Sequence, residues 1–421
     1  MEPDPRLRTI VIAGLAAKLL GSFARFFSNE YVIGHADASL YHDVGVALAG
    51  EFQKFVFSGP SVSVYLDRGP GTNFIRAATG VLYLLIGPTI TGGYVLYSYL
   101  SYWGLYLFYR AHRIAMPDGL RRRYAALLFF MPSMVFWPSS IGKEAWMTFA
   151  LGLGAYGLAR LLDYRRYGYL MIALGVSAMG LVRPHVAAIF AAALAAGFLL
   201  RRSRGQPGAA ARKLIGLLLL TVLAGILLAK LQSFFGITEG LNAQEVFDET
   251  TRRSSQGGSE FTPVQPNSPL GLPWAIVTVL FRPFVFEANS AAALASAAEG
   301  TVFMAFFVWN VPRLVRLPAQ MFLRAYVGFS VVYTLVFVYA FSAIANFGIL
   351  VRQRTQLTPI ALIVLTVPLE RSPRRALDQR VATRRAGRRR SAGAGASAIG
   401  PSSPVDEVGP AVDHPPRDAL T

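Results

Sequence analysis

The sequence of 421 residues contains no cysteine. Disulfide bonds, a thiol nucleophile and metal or cluster sites with cysteine ligands are therefore excluded. Charged residues are also scarce, at 15% of the chain, whereas about a quarter of the residues in a soluble domain carry charge. This deficit argues against an ordinary soluble domain.

Apolar residues make up 53% of the chain, and the mean hydropathy is +0.42. Apolar runs recur through residue 368, and each is about as long as a helix that crosses a bilayer. The sequence therefore predicts an all-α, polytopic integral membrane protein. We expect two parts, a multi-span membrane domain over residues 1–370 and a tail over 371–421.

The net charge of +18 is concentrated in two kinds of segment. Much of it lies in "RSPRRALDQRVATRRAGRRR", and the rest lies mostly in short loops, which is the positive-inside pattern. The tail has little apolar surface to bury, so we expect it to be basic, disordered and cytoplasmic. Its arginines are predicted to contact anionic lipid headgroups. No nucleic-acid partner is expected, because no aromatic residue alternates with these arginines.

The distribution of arginine also predicts the topology. If residues 74–112 form two spans, Arg110, Arg113 and the arginines of 121–123 lie outside. If 74–86 form a half-helix that does not cross and ends at a Gly-Pro break, they all lie inside, and the arginine bias favours this second topology. About ten spans follow, with both termini cytoplasmic and long outer loops over 28–73 and 235–291, after the first and seventh spans. The predicted spans are 7–27, 91–112, 121–138, 143–163, 168–182, 185–200, 213–234, 292–312, 319–343 and 347–368.

Several basic residues break the positive-inside rule by lying on the outer side. Each one alone could reach the interface along its own stem or pair with a carboxylate. Together on one face, they favour a shared anionic ligand such as a phosphate. They are Lys143, Arg183, Arg252, Arg253, Arg282, Arg352 and Arg354. Glu144, His185 and Glu287 lie beside them in the sequence and are further candidates for substrate binding, although Arg282 and Glu287 are also compatible with a structural pair.

The acidic candidates lie in the first outer loop. Leu40, Val44, Leu48, Phe52 and Phe55 recur at helical spacing, which predicts an amphipathic helix on the membrane surface over 34–55. Asp37 stands near its start, either as a helix cap or as a catalytic general base.

Three residues follow Asp37 closely, Tyr41, His42 and Asp43. They are candidates for binding substrate or a divalent metal ion, although one histidine and two aspartates are a weak metal signal.

The arrangement resembles the GT-C glycosyltransferases. The resemblance rests on the acidic "ADASLY" near the end of the first span and on the positions of both long outer loops. The pieces "FWPSSIGKEA", "RPH", "LFRPFVFE" and "NFGILVRQR" also resemble membrane proteins of bacterial surface-polysaccharide synthesis, including Wzy-like polymerases.

The resemblance implies hexosyl or pentosyl transfer, or polysaccharide polymerisation, at the outer face of the bacterial plasma membrane. The donor would be a polyprenyl-phosphate-linked sugar and the acceptor a glycan of the cell envelope.

Two other classes of function remain open. A transporter or flippase of an anionic lipid or glycan would place ionisable groups near the membrane midplane and often shows internal repeats. The predicted charges instead cluster at span ends, and no repeat is evident. A non-catalytic scaffold of the envelope would tolerate loss of Asp37 and the outer arginines, whereas an enzyme would not.

Overall fold

The computed structural model describes residues 4–34, 37–200, 243–255, 259–264, 266 and 271–369. Helices make up 78% of it, and none of the described residues lies in a strand. The all-α prediction is therefore confirmed. The chain divides into two units, Met1–Leu369 and Glu370–Thr421. The second unit, which includes the whole predicted basic tail, lies outside the described residues, and so does the predicted span 213–234.

The first five helices include a break where the sequence predicts one. A helix over 70–86 ends at Gly87, and the next helix leaves at an angle of 109°. Gly87 has a φ of 79°, which favours glycine, and Pro88 follows it. The elements are α1 (Pro5–Phe27), a π-helical turn (Ser28–Ile33), α2 (Asp37–Gln53), α3 (Pro60–Ser63), α4 (Pro70–Ile86) and α5 (Ile90–Ala115).

The middle of the chain contains five helices, α6 (Arg121–Phe130), α7 (Pro132–Phe136), α8 (Lys143–Leu162), α9 (Gly168–Val182) and α10 (Pro184–Leu199). Among the described residues from 243 onward, the helices are α11 (Ala243–Ser254), α12 (Gly271–Phe281), α13 (Ala291–Trp309), α14 (Val311–Leu314), α15 (Leu317–Leu323), α16 (Ala325–Phe341), α17 (Phe347–Arg354) and α18 (Thr358–Ala361). Short 3₁₀ turns at Val285–Glu287 and Val364–Thr366 complete the described elements.

Three helices are long and apolar enough to cross a membrane, Pro5–Val32, Lys143–Leu162 and Ala291–Trp309. The bent pair formed by α4 and α5 makes a fourth candidate if it counts as one span. Helices α9, α10, α12 and α16 are apolar but shorter. These features support a membrane protein with several spans, while the count of ten stays a prediction.

The helices run back and forth between two ends of the bundle. Contacts from Asn29 to Tyr94 and from Val11 to Tyr102 make α1 and α5 antiparallel. Contacts of Arg110 with Tyr156 and of Gly104 near Thr148 make α5 and α8 parallel. Consequently Arg25 and the start of α8 share one end, while Asp4 and the end of α5 share the other.

Glycines set the spacing where α8 crosses its neighbours. A Cβ atom on Gly152 would lie 2.3 Å from the carbonyl oxygen of Gly104, and one on Gly104 would lie 2.3 Å from that of Thr148. On the other side of α8, a Cβ atom on Gly175 of α9 would lie 2.6 Å from the main-chain nitrogen of Gly154. Small residues permit such close helix packing in membrane proteins.

Three predicted spans prove not to be continuous helices. The segment 121–138 breaks between α6 and α7 because Pro132 has no N–H and clashes with the preceding turn. The segment 319–343 breaks at Arg324, whose guanidinium donates two hydrogen bonds of 2.5 and 2.6 Å to Asp118.

The last predicted span, 347–368, consists of α17, α18 and a 3₁₀ turn. Every residue from 354 to 367 is buried inside the protein. The apolar character of this segment therefore reflects contact with other helices, and the segment is not the single continuous helix that was predicted, while its crossing of the membrane stays a prediction.

The surface helix predicted over 34–55 is present as α2, but its buried face differs from the predicted stripe. Leu40 and Phe55 are exposed. The buried residues of α2 are Ala38, Tyr41, Gly45, Leu48, Ala49 and Phe52. The cause is the packing of α2 against α4, where Gly45 of α2 lies close to Thr79 of α4. Only Leu48 and Phe52 belong both to the predicted apolar stripe and to the buried face.

Candidate functional site

Glu144 lies at the centre of a buried charged cluster. It stands in the first turn of α8, and its side chain is 7% exposed. Its Oε1 accepts hydrogen bonds from Nη2 of Arg183 at 2.9 Å and from Nη2 of Arg352 at 3.3 Å. The N-terminal end of a helix also favours a carboxylate. One oxygen atom therefore joins three segments that are far apart in the sequence.

Arg352 links this centre to the solvent-exposed edge of the cluster. Its Nη2 also donates to Oδ2 of Asp37 at 3.1 Å, and the Asp37 side chain is 63% exposed. The structure thus brings together Asp37, Glu144, Arg183 and Arg352, all of which the sequence singled out. In the cluster Asp37 is the accessible carboxylate and Glu144 the enclosed one.

Lys143 is held beside the cluster by α4. Its ammonium group donates to Oγ1 of Thr72 at 2.8 Å. Thr72 can reach it because Gly71 packs against the end of α9, where a Cβ atom would lie 2.2 Å from the carbonyl oxygen of Val182. The partner of Lys143 is thus a hydroxyl group, and no carboxylate among the described residues bonds the ammonium group directly.

Arg25 is a fourth cation at this end, and the sequence analysis missed it. It lies in the last turn of α1, is 7% exposed, and stacks on Phe136 and Trp137 at 4.8 and 4.6 Å from the ring centroids. The same Trp137 ring lies 6.0 Å from the guanidinium of Arg352. A signal was available, because an arginine at the outer end of the first span also breaks the positive-inside rule.

Two of these arginines carry buried N–H groups without a partner among the described residues. They are Nε and Nη1 of Arg25, and Nη1 of Arg183. A buried donor without an acceptor costs about 1–3 kcal/mol. Four cations here face two carboxylates, Asp37 and Glu144. This combination of surplus positive charge and unused donors is suited to binding an anion.

Tyr41 borders the same cluster. Its ring lies beside Gly142 and the Glu144 carboxylate, and it is 7% exposed. Burial, followed by the charges of Asp37 and Glu144, raises the pKa of Tyr41 to about 12. The phenol therefore stays neutral near pH 7 and keeps a proton that it can donate to a ligand.

The next two candidates on α2 point elsewhere. Nδ1 of His42 lies 2.6 Å from the Tyr83 hydroxyl on α4, and partial burial lowers the pKa of His42. Asp43 is exposed. Among the described residues, no group of three or more histidine, aspartate or glutamate side chains is placed to hold a metal ion. Neither residue is therefore part of the cluster.

His185 lies near the cluster, at the start of α10. It is within electrostatic range of Arg183 and Lys143, and its ring is 5.9 Å from that of Phe341. Its position, close to two cations, suits contact with the polar part of a ligand.

The remaining candidates occupy a separate, structural network. Arg282 and Glu287 pair at 2.5 Å, and Arg282 stacks on Phe261 at 4.5 Å. Arg354 is 2% exposed and donates to the main-chain oxygens of Leu280 and Arg282 at 2.7 and 2.9 Å. These contacts fix the end of α12 against α17. The structure does not bring Arg282, Glu287 or Arg354 to the Glu144 cluster.

Arg252 and Arg253 form a third group. Both pair with Glu249 on α11, at 2.7 and 2.5 Å, and both pairs lie within that one helix. The arginine side chains are 77% and 47% exposed. Pairs of this kind support a helix locally.

Comparisons of the chain with protein-family models, with curated proteins and with solved structures gave no match. The cluster geometry is therefore the main evidence about function.

Proposed function

We propose that this protein is a membrane glycosyltransferase that uses a lipid-phosphate-linked sugar as donor. One observation carries the proposal. Arg25, Lys143, Arg183 and Arg352 come from four separate segments and surround two carboxylates, and buried guanidinium donors remain unused beside the accessible Asp37. The resemblance to GT-C enzymes points to the same chemistry.

The phosphate of the donor is proposed to bind Arg25 and Arg183 first. Their unpaired N–H groups supply the hydrogen bonds, and one guanidinium group can bind two phosphate oxygens at once. Lys143 adds a point charge nearby. The lipid tail of a polyprenyl phosphate or diphosphate would lie along the apolar helices, so its headgroup would reach the cluster at the end of the bundle.

The proposed reaction is a substitution at the anomeric carbon of the sugar. An acceptor hydroxyl on the growing glycan attacks that carbon, and Asp37 takes the hydroxyl proton. The bond from the anomeric carbon to the phosphate oxygen breaks, and the phosphate leaves with the electron pair. Arg25, Arg183 and Arg352 stabilise the added negative charge on the leaving group in a partly dry site.

The proposal includes the cellular setting. The protein would lie in the bacterial plasma membrane with about ten spans and both termini in the cytoplasm, and the cluster would face outward. The process would be synthesis of a cell-envelope glycan, by a single-sugar transferase or by a polymerase.

The test is sugar transfer from a polyprenyl-linked donor by the full chain in reconstituted membranes. Asp37→Asn should lower the rate by about 10²–10⁴. Arg352→Lys should also reduce it, because one ammonium group does not replace a bidentate guanidinium. Glu51→Gln, which alters a partly buried acid on the same helix α2 that pairs with Lys54, is the control and should transfer normally. Full transfer by both Asp37→Asn and Arg352→Ala would disprove the assignment.

One observation favours transport as a second candidate. Lys18 and Glu299 lie within helices that are candidate spans, and ionisable groups at such positions often mark a transport pathway. Lys18 is 1% exposed and donates to the Met134 oxygen at 2.6 Å, while Glu299 accepts from the Ser133 N–H at 2.7 Å. Movement of the lipid-linked sugar across liposomes without a new glycosidic bond would support this reading.

A further inference from the structure

We propose that a second site, at the opposite end of the bundle, binds the phosphate of an anionic phospholipid headgroup. A cavity of about 540 Å³ opens there between the start of α1, the end of α5 and the start of α6. Its lining includes Arg113, Arg121, Arg122 and Arg123, together with Asp4. None of these residues belongs to the Glu144 cluster, so the inference does not depend on the proposed transferase activity.

The charges of the lining leave an excess that an anion would balance. Four guanidinium groups face one carboxylate, which leaves three positive charges. Asp4 is already paired, since it accepts from Nη2 and Nε of Arg122 at 3.0 and 3.3 Å. The N-terminal end of α6, where three arginines begin the helix, adds further positive potential.

Among the described residues, Arg121 and Arg123 use only part of their hydrogen-bonding capacity inside the protein. Arg121 donates to the Pro117 oxygen, and Nη1 of Arg123 donates to Oδ1 of Asn310 at 2.9 Å. Each guanidinium has five N–H donors in a planar fork that matches phosphate oxygens. These internal bonds orient the side chains while leaving donors for a ligand.

The position of the cavity selects a lipid over a soluble anion. It lies at the first turn of α1, one of the helices able to cross a membrane, and the last turn of α5 contributes Arg113. Leu7 and the partly exposed Leu120 add apolar surface to the same lining. A phosphate diester attached to acyl chains satisfies both features. Basic pockets between membrane helices bind such headgroups.

The first test is native mass spectrometry of the full chain with equal amounts of phosphatidylglycerol and phosphatidylcholine. The wild type should retain phosphatidylglycerol preferentially, and Arg121→Gln/Arg122→Gln should reduce that retention at least about tenfold. Arg165→Gln/Arg166→Gln is the matched control, because Arg165 is exposed and pairs with Asp163 as Arg122 pairs with Asp4. Equal retention by both double variants would overturn the proposal.

Two further measurements separate lipid binding at this cavity from binding of free phosphate and from lipid binding at the basic segment after residue 370. Inorganic phosphate at millimolar concentration should not displace the lipid, and displacement would mean that the site recognises free phosphate instead. In the wild type, a phosphatidylglycerol analogue with a photoreactive headgroup should crosslink within residues 113–123. Crosslinks confined to the basic segment after residue 370 would also overturn the proposal. The crosslinking result does not depend on whether a variant folds.

Discussion

The carboxylate of Glu144 and the guanidinium of Arg183 lie 2.9 Å apart, and both side chains are less than 10% exposed. Glu144 lies in the first turn of α8, and Arg183 connects α9 to α10. Because the same oxygen of Glu144 also contacts Arg352, one buried carboxylate pairs with two arginines. The pair therefore has a structural role in addition to its place in the candidate site.

Glu144→Gln should destabilise the protein by about 3–5 kcal/mol, since it leaves the buried Arg183 without a neutralising charge. The measurement is the free energy of unfolding in detergent, followed by tryptophan fluorescence. The double variant Glu144→Gln/Arg183→Gln should lose less than the sum of the single losses. Wild-type stability of Glu144→Gln would show that the pair contributes little.

Gly152→Ala should destabilise the crossing of α8 and α5 by about 1–3 kcal/mol. The added methyl group would lie 2.3 Å from the Gly104 oxygen, a main-chain atom that cannot move without shifting α5. Gly180→Ala is the matched control, because nothing lies within 4 Å of its Cβ position on α9. Thermal unfolding of both variants tests this. If both substitutions lower the melting temperature equally, the close contact between α8 and α5 does not determine the stability.

Glu299→Leu should destabilise the protein by about 1–3 kcal/mol because the Ser133 N–H loses its acceptor at the start of α7. Glu299→Gln should cost less, since its amide oxygen can accept the same hydrogen bond. Chemical unfolding of the two variants under identical conditions compares them. A larger loss for Glu299→Gln would indicate that the charge, and not the hydrogen bond, is what the structure requires.

Stability should fall as the pH drops below about 6.5, in part through His42. Burial lowers the pKa of His42 in the folded protein, although Asp43 and Glu30 act in the opposite direction. The unfolded chain therefore binds the proton more tightly than the folded protein does. The resulting stability is fully present above the pKa of His42 in the unfolded chain, and it is lost as the pH falls towards the lower pKa of His42 in the folded protein.

The measurement is the melting temperature at pH 7.5 and pH 5. His42→Asn keeps a polar contact for Tyr83 but cannot titrate in this range, so its melting temperature should change less between the two values. An unchanged pH dependence in His42→Asn would assign the effect to other groups.

The predicted orientation can be tested with single cysteines, because the natural chain has none. Ser58→Cys, in the first outer loop, should react with a membrane-impermeant maleimide on intact cells. Arg166→Cys, between α8 and α9, should react only after permeabilisation. Both positions are exposed, so lack of labelling cannot be due to burial. The reverse pattern would place the Glu144 cluster on the cytoplasmic side.

The sequence identified most residues of the candidate site, but it could not show which of the candidate residues come together there. Asp37, Lys143, Glu144, Arg183 and Arg352 were found because each is a charge at the end of an apolar run. Arg354 looked equivalent to Arg352, yet it turns away to bind main-chain oxygens of α12. Two positions along a helix rotate a side chain by about 200°, and only the packed neighbours show which face meets the cluster.

Composition and apolar periodicity by themselves determined that the chain is all-α and built of membrane-type helices, because these are local properties. The break at Gly87 was likewise local, since glycine and proline act on the nearby backbone. The tertiary structure alone decided that Arg25 stacks on Trp137 and that residues 354–367 are enclosed by protein. An apolar segment looks the same whether helices or lipid surround it, so burial within the bundle depends on contacts between distant parts of the chain.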